Sequence, residues 1–234
     1  MTNVIAHRGA SRSARENTIE AFELAVAMGV DGIELDVRRS RDGRLVVHHD
    51  ARIGRTRIGG GAAIIDLDRS DLPAHIPDLH DALVACSTRI GVTVNIEIKN
   101  DADEPDFDAE RSIASHVVRE ALDVGDPGRW LISSFDLAMI DAVFATGAGI
   151  ATAWLVDDVP AGAVTLLRAR GHSALHPAVD TLVRSTVDEC HDSGVTVNTW
   201  TCDDPQRMRE LIGWGVDGIC TNVPDVALAV RAET

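Results

Sequence analysis

The residues able to do chemistry gather early in the chain. His7 and Arg8 follow the short apolar run Val4-Ile5-Ala6 and precede Gly9, a pattern that predicts a strand with His7 at its carboxyl end, where the chain turns. In Gly32-Ile33-Glu34-Leu35-Asp36-Val37 the side chains of a strand alternate between faces, so Glu34 and Asp36 share one face while Ile33, Leu35 and Val37 share the other. Val92-Thr93-Val94-Asn95-Ile96-Glu97-Ile98-Lys99 repeats the arrangement, with Glu97 and Lys99 pointing together. Buried carboxylates side by side repel and lose hydration, so one must take up a proton or all must meet a cation. Glu34, Asp36 and Glu97 form an oxygen-only donor set, which favours one hard divalent cation, Mg²⁺ or Ca²⁺, over zinc.

Histidine adds proton transfer to this set. Behind the turn signal Arg41-Asp42-Gly43, the run Leu45-Val46-Val47 leads to His48-His49-Asp50. Alternation puts His48 and His49 on opposite faces, so one of them faces the site. Imidazole titrates near neutrality and moves a proton in either direction without a large pKa shift. An acidic pair on a strand also occurs on solvated antiparallel faces. Here both acidic strands are dense in Ile, Val and Leu and are followed by helix-like segments, which points to a parallel sheet covered by helices.

The elements that must position these groups alternate along the chain. Strands are expected at 3–7, 32–37, 92–99, 130–134, 150–156, 172–176, 195–200 and 216–221, with helical stretches between most of them, the pattern of a (β/α)₈ TIM barrel in the α/β class. One helix is expected over Thr18–Met28, with Asn17 as cap, Glu20 reaching back and Gly29 as terminator. Residues 50–80, with Gly59-Gly60-Gly61, Pro73 and Pro77, are too long for a plain strand-to-helix loop. Together with 45–49 they read as a small insertion after the second strand, at about 45–80, over the carboxyl face of a single domain spanning 1–234.

These strings resemble the glycerophosphodiester phosphodiesterase family: H-R-G-A at 7–10, E-N-T-x-x-A-F at 16–22, the Glu34/Asp36 strand, D-G-x-x-V-V-x-H-D at 42–50 and N-I-E-I-K at 95–99, continuing through Ser134-Phe135-Asp136, Trp200-Thr201 and residues 215–225. The resemblance covers nearly the whole chain. It implies a barrel that hydrolyses glycerophosphodiesters to glycerol 3-phosphate and an alcohol with a divalent metal. It further implies His7 and His49 as the general acid/base pair, Glu34, Asp36 and Glu97 as metal ligands, and Arg8 and Lys99 as phosphate contacts; His49, directly before Asp50, fits the motif and His48 does not. The chain departs from the pattern at Asn222, where the family commonly has Asp.

Later strand ends offer pocket walls. Trp200 and Phe135 are the candidates for substrate contact, Trp200 because aromatic residues are scarce, with four Trp, four Phe and no Tyr, and it could pack on glycerol carbons or on a choline head group. Trp154 and His176 also fall near carboxyl ends.

Composition bounds the partners. A chain of 234 residues with 45% hydrophobic content suffices for one large core. The formal net charge of −15 argues against nucleic acid and against stable association with an anionic membrane, so a small anionic diester must be attracted by a local reversal of potential. Met1-Thr2-Asn3 leads straight into the first strand without a basic and apolar leader, and a cytoplasmic location is the expectation. Cys86, Cys190, Cys202 and Cys220 lack metal spacing and read as reduced packing residues, with Cys202 and Cys220 near strand ends where oxidants could reach them. Alternatives are a lysophospholipase D-like or lyase-type relative acting on lysolipids, or a non-catalytic metal- and phosphate-binding barrel; a lipid would need an apolar rim, which Arg52, Arg55 and Arg57 do not obviously make.

Overall fold

The computed structural model describes residues 1–54 and 61–234; Arg55, Arg57, Gly59 and Gly60 of the expected insertion lie outside the described residues. The chain runs β1 (Asn3–His7), α1 (Ile19–Met28), β2 (Gly32–Arg39), β3 (Leu45–Val47), β4 (Arg52–Ile53), β5 (Ala62–Ala63), α2 (Leu79–Cys86), β6 (Thr93–Ile98) and α3 (Ile113–Val124). It continues through β7 (Trp130–Ser134), α4 (Leu137–Ala145), β8 (Ala151–Val156), α5 (Ala163–Arg170), β9 (Ala174–Pro177), α6 (Arg184–Asp192), β10 (Thr196–Thr199), α7 (Pro205–Trp214), β11 (Gly218–Thr221) and α8 (Pro224–Glu233).

Parallel pairing in the order β1-β11-β10-β9-β8-β7-β6-β2 closes back through β1–β2, so the eight strands expected from the alternation form a closed barrel with helices between them. Two-sided burial explains their composition: Ile33, Leu35, Val37, Val94, Ile96 and Ile98 are all at most 1% exposed, packed under the helical layer. β3 is antiparallel to β2, with Val37 opposite Val47, and β4 and β5 pair as a small antiparallel ribbon. Beneath them Val46, Ile64, Leu72 and Ile76 form a satellite core separate from the main one.

The start of α1 corrects the expected cap. Thr18, extended at ψ 156°, takes the N-cap position and accepts from the Ala21 amide, while Asn17, at φ 55°, turns its side chain toward β2. Gly29 ends the helix in the left-handed region at φ 87°, as expected. Gly9 also has a positive φ, 79°, and a Cβ there would meet the Ala21 carbonyl at 2.7 Å; glycine is what lets the H-R-G turn press against α1 and keep His7 at the barrel mouth. No helix among the described residues is long and apolar enough to cross a membrane.

Candidate functional site

Register brings the acids together. Across the parallel ladder His7 is level with Glu34, Glu34 with Asn95, and Asp36 with Glu97. Because all these residues share the inward parity of their strands, the carboxylates of Glu34, Asp36 and Glu97 converge, each offering an oxygen within 4.8 Å of the others. They are 3%, 0% and 7% exposed. Burial, reinforced by the negative charges of Asp36 and Glu97, holds Glu34 well above the usual carboxylate range. Burial also raises Glu97, against the pull of Lys99. For Asp36 burial is outweighed by Lys99 and Arg8, so it stays below that range.

The cations that partly balance this charge are Lys99, whose Nζ reaches Glu97 Oε1 at 2.5 Å and lies 3.1 Å from Asp36 Oδ1, and Arg8, whose Nε lies 3.1 Å from Asp36 Oδ2. Burial works to lower Lys99, yet Asp36 and Glu97 prevail and hold it above its ordinary value. Arg8 also forks onto Glu16, at 3.0 and 3.1 Å. Its backbone sits at φ 58°, a costly conformation for a non-glycine residue, fixed by its amide donating to Glu34 Oε2 at 2.9 Å. Glu34 Oε1 and Asp36 Oδ1 remain buried without a hydrogen bond; the approach of Lys99 to Asp36 Oδ1 is an ion pair off the hydrogen-bond direction. Buried anionic oxygens left this way are costly, and three converging carboxylates fit a hard divalent cation.

The two expected histidines flank the cluster. His7 Nε2 lies 3.9 Å from Glu34 Oε2 and its Nδ1 is bonded to Asn222 Oδ1 at 2.7 Å. His49 Nδ1 bonds Asp50 Oδ1 at 2.8 Å. Burial first, then a neighbouring cation, lowers both pKa values, with Arg8 acting on His7 and Lys99 on His49, so both rings favour the neutral form that accepts protons. Glu97 lines two adjoining spaces: an open cleft of about 600 Å³ with His49, Lys99 and Phe135 on its walls, and a narrow chamber of about 30 Å³ inside the barrel that His7, Glu34 and Trp200 border. His48 turns elsewhere, its Nδ1 bonded to the Asp50 carbonyl at 2.8 Å.

Trp200 and Phe135 meet edge to face with ring centroids 5.4 Å apart, and Trp200 is anchored by its indole N–H donating to the His176 carbonyl at 2.8 Å. Phe135 is 41% exposed toward the open cleft. His176 is buried beside the inner chamber and paired with Asn198 at 3.0 Å; burial lowers its pKa to about 3. Cys202 and Cys220 are buried free thiols, which corrects the expectation that oxidants could reach them: Cys202 follows β10, and Cys220 lies within β11 against the inner chamber.

Three supporting residues were not given these roles by sequence. Asn17 donates through Nδ2 to Asp36 Oδ2 at 2.7 Å, orienting the most deeply buried acid. Arg38, 2% exposed, donates twice to the His49 carbonyl, at 2.8 and 2.6 Å, and pairs with Asp106 at 2.7 Å, clamping the loop that carries His49. Its signal was present, because Glu34-x-Asp36-x-Arg38 extends the charged face of β2 by one more step. Asp203, which binds the Asn222 side chain at 2.8 Å, lies in a loop with no periodic pattern to flag it.

Comparison with known proteins agrees with the fold and identifies the family. Residues 7–226 match the model of the glycerophosphoryl diester phosphodiesterase family. A glycerophosphodiester phosphodiesterase of Caldanaerobacter subterraneus subsp. tengcongensis is 32% identical over 97% of this chain and 96% of its own length, and one of Bacillus altitudinis is 31% identical over 100% and 99%. The crystal structure of the Thermotoga maritima glycerophosphodiester phosphodiesterase superposes with a TM-score of 0.81 at 28% identity, covering 99% of this chain and 98% of that one. Barrel, acidic cluster and whole-length similarity lead to one conclusion: the chain belongs to the glycerophosphoryl diester phosphodiesterase family.

Proposed function

We propose that this phosphodiesterase hydrolyses glycerophosphodiesters to glycerol 3-phosphate and an alcohol, with one divalent cation, Mg²⁺ or Ca²⁺, held by Glu34, Asp36 and Glu97 and with His7 and His49 as the acid/base pair. The observation that carries this reading is the buried trio of carboxylates with two oxygens that accept no hydrogen bond, flanked by the imidazoles of His7 and His49. A cation bound there supplies positive charge to the nonbridging phosphate oxygens, where charge develops in the transition state.

The protein's own groups do the rest. Arg8 and Lys99 face the same cluster and contact the phosphate, Arg8 through a planar fork and Lys99 as a point charge. Against a formal net charge of −15, these groups confine the attraction for an anion to the pocket. One histidine takes the proton of the attacking hydroxyl as the bond to phosphorus forms. The other, which must carry a second ring proton when the substrate is bound, gives it to the departing alkoxide as its bond breaks, since an unprotonated alkoxide is a poor leaving group. Trp200 and Phe135 line the walls and exclude water from one side of the substrate.

The test is direct. Purified protein should release glycerol 3-phosphate from glycerophosphocholine or glycerophosphoethanolamine, and chelator should stop the release until Mg²⁺ or Ca²⁺ is restored. Metal binding without turnover of either diester would favour a non-catalytic binding barrel.

A further inference from the structure

We propose that Asn222 is a positioning residue for His7 and that Asp203 fixes the orientation of Asn222, so that the His7 imidazole presents a bare Nε2 to the substrate. The inference rests on the reading of His7 as an acid/base group. The three residues stand at the carboxyl ends of neighbouring strands: His7 ends β1, Asn222 follows β11, and Asp203 lies in the loop after β10.

Donors and acceptors along this chain allow one arrangement. Asp203 Oδ1 accepts from the Thr221 hydroxyl at 2.9 Å and from the Asn222 amide at 2.8 Å, and its Oδ2 accepts from Asn222 Nδ2 at 2.8 Å. Burial pushes the Asp203 carboxyl upward, but the bonds from Asn222 and Thr221 outweigh it and keep the group below its ordinary value. It is therefore a carboxylate near neutral pH and only accepts. The side-chain nitrogen of Asn222 must face it, which turns Oδ1 the other way.

That oxygen meets two donors, Ser11 Oγ at 3.1 Å and His7 Nδ1 at 2.7 Å. Since a carbonyl oxygen cannot donate, the proton of the neutral ring sits on Nδ1, and Nε2 keeps its lone pair on the side of Glu34, 3.9 Å away. A flipped amide would aim Nδ2 at His7 and drive the ring proton to Nε2, leaving no lone pair to take a proton from an attacking hydroxyl. Asp203 prevents that flip. The neutral amide where the family commonly carries Asp thus retains an acceptor for His7, with the carboxylate placed one residue further out. A carboxylate at position 222 would instead set two such groups at hydrogen-bond distance from each other.

The experiment compares Asn222→Ala, Asn222→Asp, Asp203→Asn and the exchanged pair Asp203→Asn with Asn222→Asp, alongside His7→Ala, on glycerophosphocholine in the metal-loaded protein. Outer-shell partners of metal-ligating histidines typically contribute about 10- to 100-fold to metal affinity or activity, and by analogy Asn222→Ala should lower kcat by that order while KM changes little. Asn222→Asp and Asp203→Asn should each fall short of wild type. The exchanged pair should recover most of the loss, because the amide moved to position 203 can donate to the carboxylate moved to position 222, which in turn accepts from His7. Nitrogen NMR of the wild type should show His7 as the Nδ1–H tautomer. If Asn222→Ala does not fold, the exchanged pair and the tautomer decide. Full kcat in Asn222→Ala with an inactive His7→Ala, no recovery in the exchanged pair, or an Nε2–H tautomer would overturn the positioning role alone. Undiminished turnover by His7→Ala would instead overturn the acid/base reading on which it rests.

Discussion

The two halves of the barrel mouth divide the work by charge. β1, β2 and β6 carry His7, Glu34, Asp36 and Glu97, with Arg8 and Lys99 just past the ends of β1 and β6, and two of the carboxylate oxygens there are left without hydrogen bonds. β7, β9 and β10 lead instead to Phe135, a buried neutral His176 paired with Asn198, and Trp200. In the second half His176, Asn198 and Trp200 find partners among their neighbours; in the first the carboxylates are forced together against repulsion. A fold accepts such a conflict where a ligand resolves it, so the frustrated half is where chemistry is expected and the relaxed half is where shape is set.

Breaking the charged half should have the largest effects. Replacing His7 or His49 with Ala should cut kcat by about 10²- to 10⁴-fold, the usual span for a general acid or base, measured by glycerol 3-phosphate release while metal affinity persists. A retained rate in either variant would remove that ring from the acid/base pair. Glu34→Gln should weaken metal binding yet stabilise the metal-free protein, because it removes the acid whose ionisation burial, Asp36 and Glu97 all oppose; a gain of about 1 kcal/mol corresponds to roughly 2–4 °C in Tm for a domain of this size. A lower Tm in chelator would mean that the cluster is not strained.

The relaxed half gives smaller and different signals. Folding keeps His176 neutral, with its pKa lowered by burial from 6.5 to about 3. As pH falls below 6.5 the unfolded chain takes up a proton that the folded one refuses, so this contribution is fully present above pH 6.5 and is lost progressively toward pH 3. Denaturant titrations between pH 7 and 4 should show stability falling less steeply in His176→Asn than in wild type; equal slopes would contradict the burial effect. Smallest of all, Phe135→Ala should raise KM by the equivalent of about 1 kcal/mol, the worth of one aromatic contact, with kcat nearly unchanged. A large fall in kcat would place Phe135 in the chemistry rather than on the wall.

The first half was the more legible in sequence because strand periodicity does the positioning there. Once Glu34 and Asp36 alternate with apolar residues, their common face follows, and a parallel ladder brings Glu97 level with Asp36. Most barrel strands were readable as short apolar runs rich in β-branched residues between helix-like segments, whereas β9, Ala174–Pro177, has no β-branched residue and was readable only from its place in the alternation. What periodicity does not encode was missed. Asn17 reads as a helix cap by type and neighbourhood, yet Thr18 next to it caps equally well, which frees Asn17 to reach Asp36. Asn222 was visible only as a departure from a pattern, and Asp203 not at all, because their partnership with His7 spans loops far apart in sequence.

The central claim, that Glu34, Asp36 and Glu97 form one cation site on which activity depends, is tested most directly by calorimetric titration of the chelator-treated protein with Mg²⁺ or Ca²⁺, in parallel with turnover at each metal concentration. One ion per chain, lost or strongly weakened in Glu97→Gln while the variant stays folded, with turnover rising in step with occupancy, is the expected result. An unchanged affinity in Glu97→Gln, or full turnover with no ion bound, would contradict it.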